Sequence, residues 1–198
     1  MRVSAGAVKG RKLRSSRGMV LRPTAMKVKA ALFNVLGDQI KGTTLVDFFS
    51  GTGNIGIEAL SRGANHVVFV EKHAPSVKLL KDNLNACGFN HKATVYTMDA
   101  ITFLKKAQKW SRNFDLLFAD PPYHGPLAER FLRHLGKSDM ITKRTIVVIE
   151  HFHKVPLPEE TGGLSLVRRY RYGDTLLSIY KRHSQDKSGG HLAEMERV

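Results

Sequence analysis

A doubly wound α/β sheet closed by an antiparallel hairpin is the fold that this 198-residue sequence predicts. Three observations carry the expectation. From Thr44 onward short apolar runs alternate with amphipathic stretches, the pattern of parallel strands joined by right-handed crossovers. A glycine turn, "SGTGNIG" at 50–56, succeeds the first of those runs. Late in the chain, "LSLVRRYRY" and "TLLSIYKR" flank a Gly-Asp pair, a strong hairpin signature.

Taken in order, "MRVSAGAVKGRKL" reads as a short basic hairpin marked by Val3, Gly6, Gly10 and Leu13. An organellar transit peptide shares a basic, acid-poor opening, but the hairpin spacing is the better reading. "RPTAMKVKAALFNVLG" reads as a helix, with Thr24 as N-cap, Val28, Leu32 and Leu36 at helical spacing, and Gly37 as the stop. Strands at 44–49, 66–71, 93–98, 114–120 and 144–150 then alternate with helices at 54–62, 74–86, 100–109 and 126–136. The hairpin over 164–182 closes the sheet, and residues 183–198, polar and glycine-bearing, read as a flexible tail. The expected division is a basic nucleic-acid-binding appendage at 1–40, an α/β domain at 41–182, and the tail.

Hydrophobic residues make up 42% of the chain and charged residues 25%, enough for a sizeable core and against wholesale disorder. No apolar run approaches the roughly 20 residues that span a bilayer, and the opening lacks the apolar core of a secretory signal. The lone Cys87 cannot form an internal disulfide and reads as a small buried hydrophobe, which fits a reducing cytoplasm. Charge is the loudest feature: 32 Lys and Arg against 17 acids, a formal +15. No acid precedes Asp38, whereas Lys9, Arg11, Lys12, Arg14, Arg17 and Arg22 all do. Nucleic acid is the expected partner.

The glycine turn places Gly51, Gly53 and Gly56 where the first strand gives way to its helix, so that backbone and free N–H groups can approach a ligand. Glu71 ends the second strand, where an acid accepts hydrogen bonds from ribose hydroxyls. Asp47 adds negative charge beside the turn, which repels a pyrophosphate and suits a sulfonium or amino-acid cation. S-adenosylmethionine is therefore preferred over a nicotinamide dinucleotide. Asp99 suits an adenine amine or, equally, a helix N-cap. The fourth strand ends in "DPPY" at 120–123, beside the first strand in such a sheet. Asp120 and the carbonyl of Pro121 can accept the two N–H bonds of an exocyclic base amine and aim its nitrogen at a methyl donor. Pro121 and Pro122 lock the backbone, and Tyr123 offers a face for an unstacked base. His151 and His153 alternate on one strand, but nothing nearby completes a metal site, and hydrogen-bonded histidines are expected.

These residues resemble those of the RsmD family, the bacterial small-subunit ribosomal RNA guanine-N2 methyltransferases. The likeness runs from "MRVSAGAVKGRKL" through "RPTAMKVKAALFNVL", "DFFSGTGNIGIEALSRGA", "VVFVE" and "DPPY" to "YRYGDTLLSIYKR", about nine tenths of the chain. The run "FFSGTGN" departs from the more usual Leu-Phe-Ala-Gly type, and the tail after Arg182 has no family counterpart. The resemblance implies a class I S-adenosylmethionine-dependent methyltransferase (Rossmann-like) sheet that methylates a guanine amine in the assembled small subunit. On that pattern Asp47, Ser50, Gly51, Thr52, Gly53, Glu71, Asp99 and Ala100 would hold S-adenosylmethionine. Asp120, Pro121, Pro122 and Tyr123 would present the base; separately, the charge of the acid-free segment from Lys9 to Arg22 leads to the expectation that it grips RNA phosphates. Competing readings are a DNA adenine or cytosine amino-methyltransferase, a non-catalytic RNA-binding assembly factor, and, least favoured, a nicotinamide oxidoreductase. No metal is expected; the oligomeric state is open, with a monomer favoured.

Overall fold

In the computed structural model residues 1–15, 23–107, 114–122 and 126–183 are described. The chain opens with a hairpin in which Arg2 and Lys12 bridge antiparallel. Helix α1 (Pro23–Leu36) comes next, so Thr24 lies inside its first turn rather than at its cap. Gly37, at φ 51°, ends α1 as expected, and the backbone tightens into a 3-10 turn over Gly37–Ile40. The crossover units are β1 (Thr44–Phe48), α2 (Asn54–Ser61), β2 (His66–Glu71), α3 (Ala74–Cys87), β3 (Ala93–Thr97), α4 (Ala100–Ala107), β4 (Leu116–Ala119) and α5 (Leu127–Gly136). Then β5 (Ile146–Phe152), β6 (Glu160–Thr161), β7 (Leu164–Tyr172) and β8 (Thr175–Arg182) complete the sheet.

Strand β5 runs past the expected Glu150 because its antiparallel partner β8 keeps pairing through Phe152 and Thr175. The two-residue β6 is too short to leave a period in the sequence. Residues 108–109 of the expected fourth helix and residues 184–198 of the expected tail lie outside the described residues.

The eight strands form one sheet in the order β3-β2-β1-β4-β5-β8-β7-β6. The first five are parallel, and β8 and β7 return antiparallel. Alternate residues serve opposite faces: Leu45 and Phe118 join a core with Leu32, Ile57 and Leu80 of α1, α2 and α3. Val46 and Leu117 join another with Phe103 of α4 and Phe131 of α5. Val3 and Leu13 are 2% and 3% exposed and belong to the first of these cores, so the N-terminal hairpin is built into the flank of the sheet.

A buried carboxylate ties that hairpin down. Glu58 of α2 is fully buried and accepts from Ser4 N–H at 2.8 Å, Ser4 Oγ at 2.6 Å and Ala5 N–H at 3.0 Å. Lys29 Nζ of α1 lies 3.0 Å from it and Arg62 Nε 2.9 Å. Burial pushes the Glu58 carboxyl up, but the Ser4 bonds, Lys29 and Arg62 outweigh it and hold it below the usual value. One residue further, the left-handed Gly6 sits so close to α2 that a Cβ there would come within 1.8 Å of Ser61 O. Replacing Glu58 by Gln would turn an amide NH2 toward these donors and leave Lys29 buried without its counter-charge. Breaking one side of such a pair costs about 3–5 kcal/mol. Glu58→Gln should lower the urea midpoint correspondingly; an unchanged midpoint would contradict the assigned network.

Candidate active site

Strand order reverses between β1 and β4, the point where open α/β sheets leave a crevice at their carboxyl ends. A cleft of about 370 Å³ lies there. Phe49 enters it after β1, Val70, Glu71 and Lys72 at the end of β2, Met98 to Ala100 after β3, and Asp120 to Pro122 after β4. Glu71, Asp99, Ala100, Asp120, Pro121 and Pro122 are site candidates from the sequence, and the structure brings all six to one cleft.

Ser50, Gly51, Thr52 and Gly53 of the glycine turn do not line this cleft; the turn reaches it through the bond of Gly51 to Glu71. Phe49 and Gly51 sit at φ 57° and 54°, and Gly53 at 85°. For Phe49 that left-handed backbone is a local strain of order 1–3 kcal/mol, of the kind that gathers at functional sites. Gly51 N–H donates to Glu71 Oε2 and His73 N–H to Glu71 Oε1, both at 2.8 Å, so the loop fixes the carboxylate while each oxygen keeps a further lone pair. Ser50 Oγ is buried without a hydrogen-bond partner among the described residues. Thr52 is 4% exposed, and its carbonyl accepts from Asn83 Nδ2 at 3.0 Å. Asn83 also holds Arg14, accepting from its N–H at 2.7 Å and donating to its carbonyl at 3.0 Å. One amide thus joins the N-terminal segment to the glycine loop. Sequence reasoning misses Asn83, Phe49 and Lys72, because an asparagine in a helix, a phenylalanine after a strand and a surface lysine carry no pattern.

Asp47 does not line the cleft. It is 1% exposed, and its Oδ2 accepts from Gly56 N–H at 2.9 Å in the first turn of α2. Burial drives its pKa up to about 7, the Gly56 bond opposes the rise, and the charge of Glu71 adds to it. Asp99 caps α4: its Oδ1 accepts from Thr102 N–H at 2.9 Å and its Oδ2 from the Thr102 hydroxyl. Those bonds hold its carboxyl below the usual value while the residue faces the cleft.

Asp120 stands at the cleft, open to it yet crowded by protein on its other sides. That crowding raises its carboxyl well above the usual range, and the charges of Glu150 and Asp47 raise it further. Ala119 pairs with Ile149, which puts Asp120, just past the end of β4, level with Glu150, two residues before the end of β5. Tyr123 lies outside the described residues, as do Arg17 and Arg22. Lys9, Arg11, Lys12 and Arg14 are exposed along the hairpin, Arg14 paired with Asp82 at 3.2 Å. His151 is buried, with Nδ1 2.9 Å from Val155 O and Nε2 2.8 Å from Ser178 Oγ, in agreement with the expectation of a hydrogen-bonded histidine. Cys87, 7% exposed, joins the first core.

Asp47 gives the site a pH signature. An unfolded aspartate titrates near 4, so between about pH 4 and 7 the folded chain keeps a proton that the unfolded chain has lost. Stability from this group therefore falls as pH rises through that window. Asp47→Asn keeps an oxygen for Gly56 N–H and removes the charge. Its Tm relative to the parent should climb from pH 4 to pH 8; a pH-independent difference would refute the buried, proton-holding Asp47.

Known proteins share this architecture. The family profile described as "Conserved hypothetical protein 95" matches residues 1–181. Ribosomal RNA small subunit methyltransferase D of Escherichia coli strain K12 is 31% identical over 95% of this chain and 93% of its own. Its Haemophilus influenzae counterpart is 34% identical over 86% and 93%. A solved Escherichia coli chain described as a methyltransferase superposes with a TM-score of 0.82 at 31% identity, covering 93% of this chain and 99% of that one. A ribosomal protein L11 methylase from Lactobacillus delbrueckii, at 14% identity and TM-score 0.66, shares the fold alone. With the glycine turn, the Asp-Pro-Pro corner and the basic hairpin all within the matched span, this chain belongs to the RsmD family of methyltransferases.

Proposed function

We propose that this chain methylates the exocyclic N2 amine of a guanine in small-subunit ribosomal RNA, on the assembled subunit, with S-adenosylmethionine as donor. The observation that carries the reading is the cleft itself: an Asp-Pro-Pro corner facing an acid-lined adenosine-type pocket across the strand reversal. The relatives named as ribosomal RNA small subunit methyltransferases supply the substrate class.

The residues fit the cofactor on structural grounds. Glu71 is held by two backbone N–H groups with lone pairs to spare for ribose hydroxyls. Ser50 Oγ is buried with no partner among the described residues, and Gly51 leaves open space where a Cβ would stand, whereas Gly53 is packed against Leu80 and Ile57. Thr52 and Asp47 brace the loop from behind, Asp47 through Gly56. Asp99 and Ala100 would meet the adenine at the start of α4. When bound, S-adenosylmethionine supplies a methyl group already activated by a sulfonium charge.

The chain's own part is to prepare the nucleophile. A guanine amine is a weak nucleophile because its lone pair is delocalised into the ring. Asp120 and the Pro121 carbonyl accept its two N–H bonds, fix its direction and favour a tetrahedral nitrogen. The raised Asp120 carboxyl then suits a group that takes up the proton released from nitrogen. Pro121 and Pro122 keep the corner rigid, and Tyr123 supplies a face for the unstacked base. Lys9, Arg11, Lys12 and Arg14 hold phosphates, with Arg17 and Arg22 extending the same basic run.

The deciding experiment incubates the protein with radiolabelled S-adenosylmethionine and small subunits from a strain lacking the gene, naked rRNA, or duplex DNA, and then analyses the nucleosides. Label in N2-methylguanosine from subunits is expected; label in DNA would establish an amino-methyltransferase of DNA instead. Asp120→Ala should cut turnover about 100-fold while cofactor affinity by calorimetry stays near the parent value. Replacing Lys9, Arg11, Lys12 and Arg14 together by alanine should reduce the slope of log affinity for RNA against log salt by about 3, and an unchanged slope would remove the hairpin from the RNA contact.

A further inference from the structure

The run "YRYGDT" at 170–175 is left unused by the proposed reaction, yet the sheet register brings it to the reacting end. Phe152, at the carboxyl end of β5, pairs with Thr175, and Thr175 with Tyr172. Glu150 pairs with Leu177, and Leu177 with Tyr170. Asp120, Glu150, Leu177 and Tyr170 therefore form one row across β4, β5, β8 and β7, on one face of the sheet. Three strand spacings of about 4.8 Å separate the ends of that row, about 14 Å from Asp120 to Tyr170.

The far end of the row is aromatic and cationic. Tyr170 and Tyr172 pack against the first core and remain partly exposed as residues. The Arg168 guanidinium lies 5.3 Å from the centre of the Tyr170 ring. Arg168, Arg169 and Arg171 are all exposed; Arg169 is engaged by Glu159 and the Leu157 carbonyl, and Arg171 donates through Nε to Gly173 O at 3.0 Å, which leaves its terminal guanidinium nitrogens outward. The β6 strand covers β7 only at Leu164 and Ser165, so the tyrosines sit on a stretch of β7 that β6 does not reach. Edge strands carry arginines simply to discourage pairing with other chains, but that role needs charge and has no use for two aromatic rings beside it.

We propose that this end of β7 is a second RNA-contact surface, where Tyr170 and Tyr172 stack bases of the single strand flanking the target guanine and Arg168 and Arg171 hold its phosphates. The inference rests on the proposed RNA methylation and adds the path of the substrate: the target base enters at Asp120, and its neighbours cross the ends of β5 and β8 toward β7. Stacking platforms joined to arginines are how single strands are held without sequence reading.

The test uses the full chain and a single-stranded transcript of small-subunit rRNA, with binding measured separately from turnover. Tyr170→Leu and Tyr172→Leu keep apolar packing and lose the stacking face; each should weaken RNA binding by about 5- to 150-fold, with unchanged S-adenosylmethionine affinity and melting temperature. Tyr172→Phe should restore RNA affinity. Arg168→Ala with Arg171→Ala should lower the salt slope by about 1.4. Parental RNA affinity and slope in all these variants would overturn the surface, and a loss confined to methylation of assembled subunits would point to a ribosomal protein and overturn it too. If the parent methylates no RNA while the variants lose binding, the proposed reaction fails and this surface stands.

Discussion

The fold of this protein turns on Glu58, a carboxylate with no exposure that gathers the Ser4 and Ala5 N–H groups, the Ser4 hydroxyl, Lys29 and Arg62 around one point. Three parts of the chain that share little sequence proximity meet there: the hairpin, α1 and α2. Because α2 starts from the glycine turn, whatever fixes α2 also fixes the Gly51 N–H that holds Glu71 at the cleft. Lys29 extends the link by donating to Arg2 O at 2.8 Å and to Asn54 Oδ1 at 3.1 Å, at the first residue of α2. Asn83 adds an independent tie from Arg14 to Thr52. The basic segment and the glycine turn are thus parts of one rigid arrangement, although the hairpin could have been read as a loose arm.

This coupling explains why a buried ion pair is retained where an apolar contact could serve. Ion pairs in a core rarely add net stability over well-packed hydrophobes, but they fix one arrangement by leaving charges bare in every other. Here the arrangement fixed is the position of a positively charged hairpin relative to a glycine turn.

Much of this is legible in the sequence. The crossover units come from apolar runs of strand length between amphipathic stretches, and the hairpin from its Gly-Asp turn. Register then delivers the cleft, since an acid one residue beyond β4 must lie beside the end of β1. Partnership is hidden where position is not. Glu58 looks like any helix acid because its donors Ser4 and Ala5 are more than fifty residues away. Asp47 looks in the sequence like a residue facing the ligand, but the Gly56 N–H in the first turn of α2 holds it inward. Asp99 fits two roles, and its bonds to Thr102 show the cap. Phe49 gives no sign of its positive φ, since strain at a turn depends on the path of the next residues as much as on the residue itself.

Charge is distributed so as to sort the molecules that reach the site. The chain carries +15 overall, yet Asp47, Glu71, Asp99, Asp120 and Glu150 are concentrated at the carboxyl ends of the parallel strands or just past them. A polyanion drawn to the basic surfaces meets an acidic cleft that repels its phosphates. A cationic donor is favoured in that cleft, and so is a neutral base whose outward-facing groups are N–H donors. Burial raises the carboxyls of Asp47 and Asp120, and the neighbouring acids add to the rise, so the setting that repels phosphate also makes Asp120 a better proton acceptor than an isolated aspartate. In the proposed reaction, long-range attraction therefore brings in the RNA, and short-range repulsion confines entry to the unstacked base.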